Sequence, residues 1–412
     1  MPDAENRRPL SLVALLVPST IYLLVIYYAS NKRLFRYRNI FVPIALFTIW
    51  ETCTHYAILD PRFNVGNFFL GAAGCTLAMK LAEIVTLKQP LKRKSEVECP
   101  RSELFSFRQL VDAIDYSFDL RGLHWSFNKD CHLPPDNRAT LTLLDFEVDT
   151  ILLALQHTLL YCVIHFTISL VGSIGSIHGG SVFIWTHIPF PFHGIPVPPL
   201  LTACFVTYLG GLMAYHALAA IHFFMTFCLA PFYSNPAKSW PPLFGNPLHS
   251  ISVHNFWSYQ WHSVLRSGFC STGGKLGWEI GGSVGAILGV FLVSGLLHDF
   301  ALWCMGQGME FKRVTMYFVL QGVIVLLEKT FEVDIWVETI PLGGSQKYTL
   351  GASITGFPKQ AKIPRKSSLV DHGLGQLWTV FWIVVPATLM VDAAARRGLF
   401  GIPFNFPSWV ST

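Results

Sequence analysis

Three observations predict an all-α, polytopic integral membrane protein of about eight transmembrane helices with interfacial amphipathic helices. The 412 residues are 52% hydrophobic and only 13% charged, where a soluble domain carries roughly a quarter charged residues. The apolar residues, 33 Phe and 12 Trp among them, are spread along the whole chain instead of being gathered into one core or one anchor. Runs of about 20 mostly apolar residues, the length that crosses the hydrocarbon layer, recur from end to end.

The first run, Leu10 to Ala29, is followed by Lys32 and Arg33 and not by a small-residue cleavage site, so it reads as a spanning helix and not as a cleaved signal peptide. Further spans are predicted near 40–59, 65–87, 148–171, 200–230, 276–304, 314–337 and 373–395. Loops 31–39, 88–147, 231–275 and 338–372 carry 21 of the 30 Lys and Arg, against seven on the opposite side and two, Lys80 and Lys329, inside spans. The positive-inside rule then puts those loops in the cytosol and both termini in the lumen. Segment 172–199 has no Lys or Arg and runs Gly-rich, then Pro-rich, as a lumenal or re-entrant connection would. The cytosolic loop 88–147 is too short and too punctuated for a second domain, which leaves residues 1–412 as one membrane domain. The nine cysteines are scattered without a Cys-x-x-Cys pair, so the sequence suggests neither a zinc site nor a disulfide framework. A net charge of +5 is too small and dispersed for a nucleic-acid partner.

Two stretches carry chemistry. From Leu243 to Arg266 the sequence reads as a turn followed by an amphipathic helix capped by Ser252. At about 100° per residue, Val253, Trp257, Trp261 and Val264 share one face, and Asn255, His262 and Arg266 the other. Such a helix is expected at the cytosolic interface, its tryptophans turned toward acyl chains. The second stretch, Gly289 to Trp303, places His298 deep in an apolar helix, and Gly277, Gly281, Gly285 and Gly289 give that helix a small-residue face for another helix to approach. An ionisable group at such a depth is costly and marks a functional candidate, and imidazole suits proton abstraction near neutral pH. The structural alternatives are a packing histidine bonded to a carbonyl at 298 and a solvated-face residue at 262. Asp299 projects about 100° from His298 and is expected to cap a neighbouring group. Glu51 with His55 and Lys80 with Glu83 have the spacing of helical pairs, and His157, His165, His216 and His222 show no metal-site spacing.

The Phe256-Trp257 and Trp261-His262 pattern, the Ser294-Gly295-Leu-Leu-His298-Asp299 segment and the upstream Arg121-Gly-Leu-His-Trp125 run resemble the membrane-bound O-acyltransferase family. The likeness covers about 240–303 and is to its wax-synthase-like branch, among fungal enzymes that acetylate terpenoid and meroterpenoid alcohols. It implies acyl transfer from an acyl-CoA co-substrate, acetyl-CoA favoured, to a lipophilic alcohol, with a long-chain wax or sterol ester synthase as the alternative. His298 would be the base and His262 or Asn255 the second catalytic residue. Trp257, Trp261, Arg266 and Arg121 would contact substrates, Arg121 through coenzyme A phosphates. Transfer would be direct, without bound cofactor or metal, in a multi-pass protein of the endoplasmic reticulum whose partners are the bilayer and its two substrates; homo-oligomerisation stays open. A proton-coupled transporter is the rival from another class, opposed by the absence of inverted repeats.

Overall fold

The computed structural model describes residues 7–94, 106–126, 133–171, 174, 176–187, 194–331 and 369–401. These are helical nearly throughout. The long helices are α1 (Leu12–Ser30), α2 (Arg38–His55), α3 (Val65–Thr86), α4 (Phe107–Phe118), α5 (Leu143–Ser169) and α6 (Pro199–Leu229). Short turns α7 (Pro236–Ser239), α8 (Val253–Asn255) and α9 (Arg266–Phe269) precede α10 (Lys275–Cys304), α11 (Thr315–Thr330) and α12 (Leu369–Ala395). Each of the eight predicted spans overlaps helical residues, the one at 276–304 with a break at Gly281 and Gly282. Among the described residues, six segments are long and apolar enough to cross a membrane: Leu12–Ser30, Val65–Thr86, Leu143–Ser169, Pro199–Phe232, Arg266–Cys304 and His372–Ala395. The other two predicted spans correspond to α2, which carries Arg38 and Glu51, and to α11, which has 16 residues. Leu152, Leu155 and Leu159 stay exposed along one side of α5, a stripe that would be an aggregation liability in water but suits contact with lipid. Most of loop 338–372, Cys99 and Cys131 lie outside the described residues.

The helices form two compact units, each assembled from two stretches of chain: the described residues of 1–131 with 264–311, and those of 132–263 with 312–412. In the first unit α1, α2 and α3 pack around Val25, Ile26, Ala45, Ile49, Leu81 and Ile84. Gly71 of α3 lies against Ala301 and Cys304 of α10, where a side chain has no room. Arginines finish two helices of this unit. Arg38 donates to the carbonyls of Ile84 (3.1 Å) and Leu87 (2.7 Å) at the end of α3, and Arg7 to those of Trp303 (3.3 Å) and Cys304 (2.7 Å) at the end of α10. In both cases a cation meets the carbonyls of a helix end and the negative end of the helix dipole.

The most amphipathic helix is α4. Phe107, Leu110, Val111, Ile114 and Phe118 are exposed on one side, while Gln109, Ala113 and Tyr116 are buried on the other. It is tied to the ends of α1 and α3 by Asn31 Nδ2 donating to Gln109 Oε1 (3.0 Å) and by the Tyr116 hydroxyl donating to Glu83 Oε2 (2.9 Å).

In the second unit α5 and α6 are neighbours, with α11 and α12 completing it. His157 and His216 meet through their Nδ1 atoms at 2.8 Å, one donating and one accepting, His165 stacks on Tyr161, and His222 Nε2 donates to the Pro241 carbonyl. The buried Asp392 of α12 accepts from Ser181 Oγ (2.6 Å) and the Val182 amide (3.0 Å) and pairs with Arg396. These contacts pin the described part of the glycine-rich connection.

Candidate active site

The helix that carries His298 is one arm of a hairpin. Within α10 the backbone leaves helical geometry at Gly281 (φ −140°, ψ 23°) and Gly282 (φ 58°, ψ −139°), the latter a region that is essentially glycine-only. Chain direction reverses there, and the glycines on either side meet. A Cβ on Gly277 would run into the carbonyl oxygen of Gly285, and one on Gly273 into that of Gly289. The glycine stripe, expected to admit another helix, packs instead on the same segment's own first arm, and the predicted span at 276 starts within a folded-back segment. The second arm, 283–304, is about 33 Å long. Continued through α9, the register of the glycine pairs carries Arg266 toward the His298 end of that arm. Ser267 donates to Glu83 Oε1 (2.5 Å), and Gly268 rests on Met79, so the first arm is anchored on α3.

His298 is half-buried, and its Nδ1 lies 2.7 Å from the Ser294 carbonyl. A carbonyl only accepts, so that contact assigns the proton to Nδ1 and leaves Nε2 as the basic nitrogen of the neutral ring. Asp299, fully buried, accepts from the Glu310 amide at 2.7 Å and so closes the turn after α10, as expected.

The other stretch departs from the predicted continuous helix. Ser252 caps it as expected, its Oγ accepting from the Asn255 amide at 2.9 Å. After the single turn of α8, however, residues Phe256–Gln260 widen into a π-helical turn closed by the Trp261 amide donating to the Phe256 carbonyl (2.8 Å), and Trp261 itself is extended. The cause is a contact remote in sequence: Gln260 Oε1 accepts from the Asn246 amide (2.6 Å) and its carbonyl from Gly245 (3.0 Å), which takes Gln260 out of helical register. Val264 and Arg266 therefore do not continue the faces of this helix.

Both tryptophans are half-buried and make contacts within the protein. Trp257 Nε1 donates to Gln321 Oε1 (3.2 Å) beside Phe318, and Trp261 stacks on Phe256 at 5.3 Å with Phe244 edge-on at 5.1 Å. His262 sits 5.8 Å from Phe244, ring centroid to centroid. The amides that open this stretch are all satisfied. Glu328 of α11 accepts from the amides of Val253 (Oε1, 2.8 Å) and His254 (Oε2, 2.7 Å), Ser252 Oγ from Asn255, and the Ser252 carbonyl from Phe256 (3.0 Å).

The Arg121–Trp125 run is a tight turn. Gly122 has φ 65°, and Trp125 is buried edge-on against Tyr116 with the Arg93 guanidinium 5.2 Å from its ring. Asp119 accepts from the amides of Leu123 and His124 and pairs with His124 Nδ1, each at 3.1 Å. Burial pushes the Asp119 carboxyl up, but the His124 ring and the two amides outweigh burial and hold it below the ordinary value of 3.8. Arg121 is buried, so it is no loop arginine on open cytosolic surface.

The two units divide the candidate residues: Arg121, Arg266 and His298 belong to the first, Asn255, Trp257, Trp261 and His262 to the second. Residues 240–321, which contain both π-helical turns found among the described residues (Phe256–Gln260 and Cys270–Gly274), match the Membrane bound O-acyl transferase family. By this stretch the chain resembles that family. It is also 27% identical over 186 residues, 42% of the chain, to the acetyltransferase spyB of Aspergillus fumigatus. Over 139 residues, 31% of the chain, it is 27% identical to the acetyltransferase aurG of Calcarisporium arbuscula. The chain spans only about a third of the length of these curated relatives, 29% and 34% respectively.

The O-acyl transferase match contains His298, His262, Asn255 and the tryptophans singled out from the sequence, and also Gln321, which was not. Glu328, just beyond the match, was not singled out either, and Glu83 was read only as the helical partner of Lys80. Gln321 and Glu328 stand seven residues apart, on one face of an otherwise apolar helix. That is the signal that singled out His298, and it could have found them.

Proposed function

We propose that the protein is a membrane O-acyltransferase that moves an acyl group from a coenzyme A thioester to the hydroxyl of a lipophilic alcohol. The observation that carries this reading is the family match at 240–321, together with a histidine inside it, His298, whose basic nitrogen is Nε2. In the proposed reaction His298 Nε2 takes the hydroxyl proton as the oxygen attacks the thioester carbonyl. The carbon–sulfur bond then breaks, and the leaving thiolate recovers the proton to give free coenzyme A and the ester. His262 or Asn255 would donate to the developing oxyanion, a contribution of about 3 kcal/mol for a well-placed donor. Basic loops facing the cytosol would admit coenzyme A from that side, with Arg121 and Arg266 as candidate contacts, in a multi-pass protein of the endoplasmic reticulum. The names of the two relatives favour acetyl as the acyl group, and a hydroxylated terpenoid-type alcohol is the proposed acceptor.

The test is thiol release and label transfer by the purified protein, offered acetyl-CoA or palmitoyl-CoA with farnesol or hexadecanol. Acetylation of farnesol is expected. His298→Ala should lower turnover by about 10²–10⁴, the range of a lost general base, and His262→Ala by about 10²–10³ if it serves the oxyanion. Full activity in His298→Ala would overturn the mechanism, and transfer of palmitate alone would overturn the donor.

A further inference from the structure

Glu328 is a carboxylate buried in an apolar helix, 1% exposed, and the reaction above makes no use of it. Such a group is costly in an apolar surrounding, so its surroundings must account for it. Besides the amides of Val253 and His254, its Oε1 accepts from Trp378 Nε1 of α12 at 2.8 Å. A carboxylate offers acceptors only, and these are three N–H donors converging from two directions. Ser252, fully buried, supplies the acceptors for the next two amides, so the first four N–H groups of the stretch are met by two residues. One turn of α8 cannot hold itself, since helix starts are unfavourable without outside partners. Seven residues earlier on the same face, the fully buried Gln321 accepts from Trp257 Nε1 and donates to the Trp382 carbonyl at 2.9 Å. The stretch is thus gripped at its first turn by Glu328 and at its π-helical turn by Gln321.

We propose that Glu328 is a positioning residue for acyl transfer, whose carboxylate fixes the start of the Ser252–Trp261 stretch and so the aim of Asn255 and His262. This rests on the O-acyltransferase reading. Without the carboxylate two buried amides lose their acceptors, and the turn that presents Asn255 unwinds or shifts. Displacement of a reacting group by about 1 Å is enough to cost about 10²-fold in rate.

The test compares wild type, Glu328→Ala and Glu328→Gln in two readouts on protein in nanodiscs. Hydrogen exchange of the peptide covering 250–261 needs no substrate, and it should rise in Glu328→Ala at the amides of Val253 and His254 while α5 and α6 keep their protection. With acetyl-CoA and farnesol, kcat should fall about 10²-fold at a KM for acetyl-CoA within about threefold of wild type. Glu328→Gln, which keeps one oxygen but turns an NH2 toward the second amide, should lie between the two, and it carries the test if the alanine variant does not fold. Unchanged exchange at 253 and 254, or a kcat per folded molecule within twofold of wild type, would overturn the proposal. Localised exchange in the variants with no acyl transfer by wild type would instead sink the functional reading and leave the clamp standing.

Discussion

The arm carrying His298 and the stretch carrying His262 are held in place by opposite means. The first is held by shape: glycine faces glycine across a hairpin, backbone touches backbone, and nothing larger fits between. The second is held by polar groups: two carboxylate oxygens, a serine and a glutamine satisfy a short, irregular stretch that has no regular helix of its own to rely on. Shape tolerates almost no addition of atoms, whereas a polar clamp tolerates bulk but not the loss of an acceptor. A position that must stay rigid inside apolar surroundings can use the first means; one that departs from helical geometry needs the second, because every backbone amide it frees must find a partner.

Substitutions can sharpen or break that contrast. The largest effect is expected from Gly277→Leu, where the new side chain meets backbone that cannot give way. A loss of about 3 kcal/mol or more, the upper end for overpacking, should appear as a collapse of the monodisperse fraction in detergent chromatography. A well-folded Gly277→Leu protein would mean that the hairpin is not held by shape. Gly282→Ala adds no clash, since nothing lies near that position, but its φ of 58° with ψ −139° strains any residue with a Cβ. About 1–3 kcal/mol of destabilisation is expected, read as a lowered thermal transition.

At the polar clamp, Ser252→Ala removes the cap and should cost about 1 kcal/mol, visible as faster exchange at the Asn255 amide with little change in folded yield. A global collapse there would erase the distinction between the two regions. The smallest effect concerns Asp119. Its carboxyl lies below its unfolded value, so the stability it contributes is present above the unfolded pKa and is lost as pH falls through the depressed folded one. Thermal stability followed from about pH 6 to about pH 3 should therefore decline less steeply in Asp119→Asn than in wild type, with the two curves converging at the acid end; parallel curves would exclude the linkage.

What was legible in the sequence was whatever local spacing decides. The apolar runs became helices, Ser252 became a cap, and Glu51 and His55 pair at 3.0 Å. Lys80 and Glu83, predicted to satisfy each other, lie 3.9 Å apart, but Lys80 donates to the Asp119 carbonyl at 3.0 Å and Glu83 accepts from Tyr116 and Ser267. Those stronger partners come from remote parts of the chain and no spacing rule reaches them. The helix expected from Ser252 to Arg266 failed for the same reason, because Gln260 answers to Asn246, fourteen residues away. The glycine stripe was legible as a contact surface but not as a self-contact, since a four-residue repeat looks the same against any helix. The doublet Gly281-Gly282 is the mark that separates the two, because paired glycines punctuate a helix.

The hairpin also bears on how the protein is made. Neither arm has a face suited to lipid or to water where the glycines lie, because each glycine surface is complementary only to the other arm. As the ribosome delivers the segment, the arm up to Ile280 cannot settle until the residues beyond Gly282 have followed and folded back on it. His298 is thus among the last residues of the segment to be delivered, and it takes its place only once the 39 residues Arg266–Cys304 have closed as a single piece.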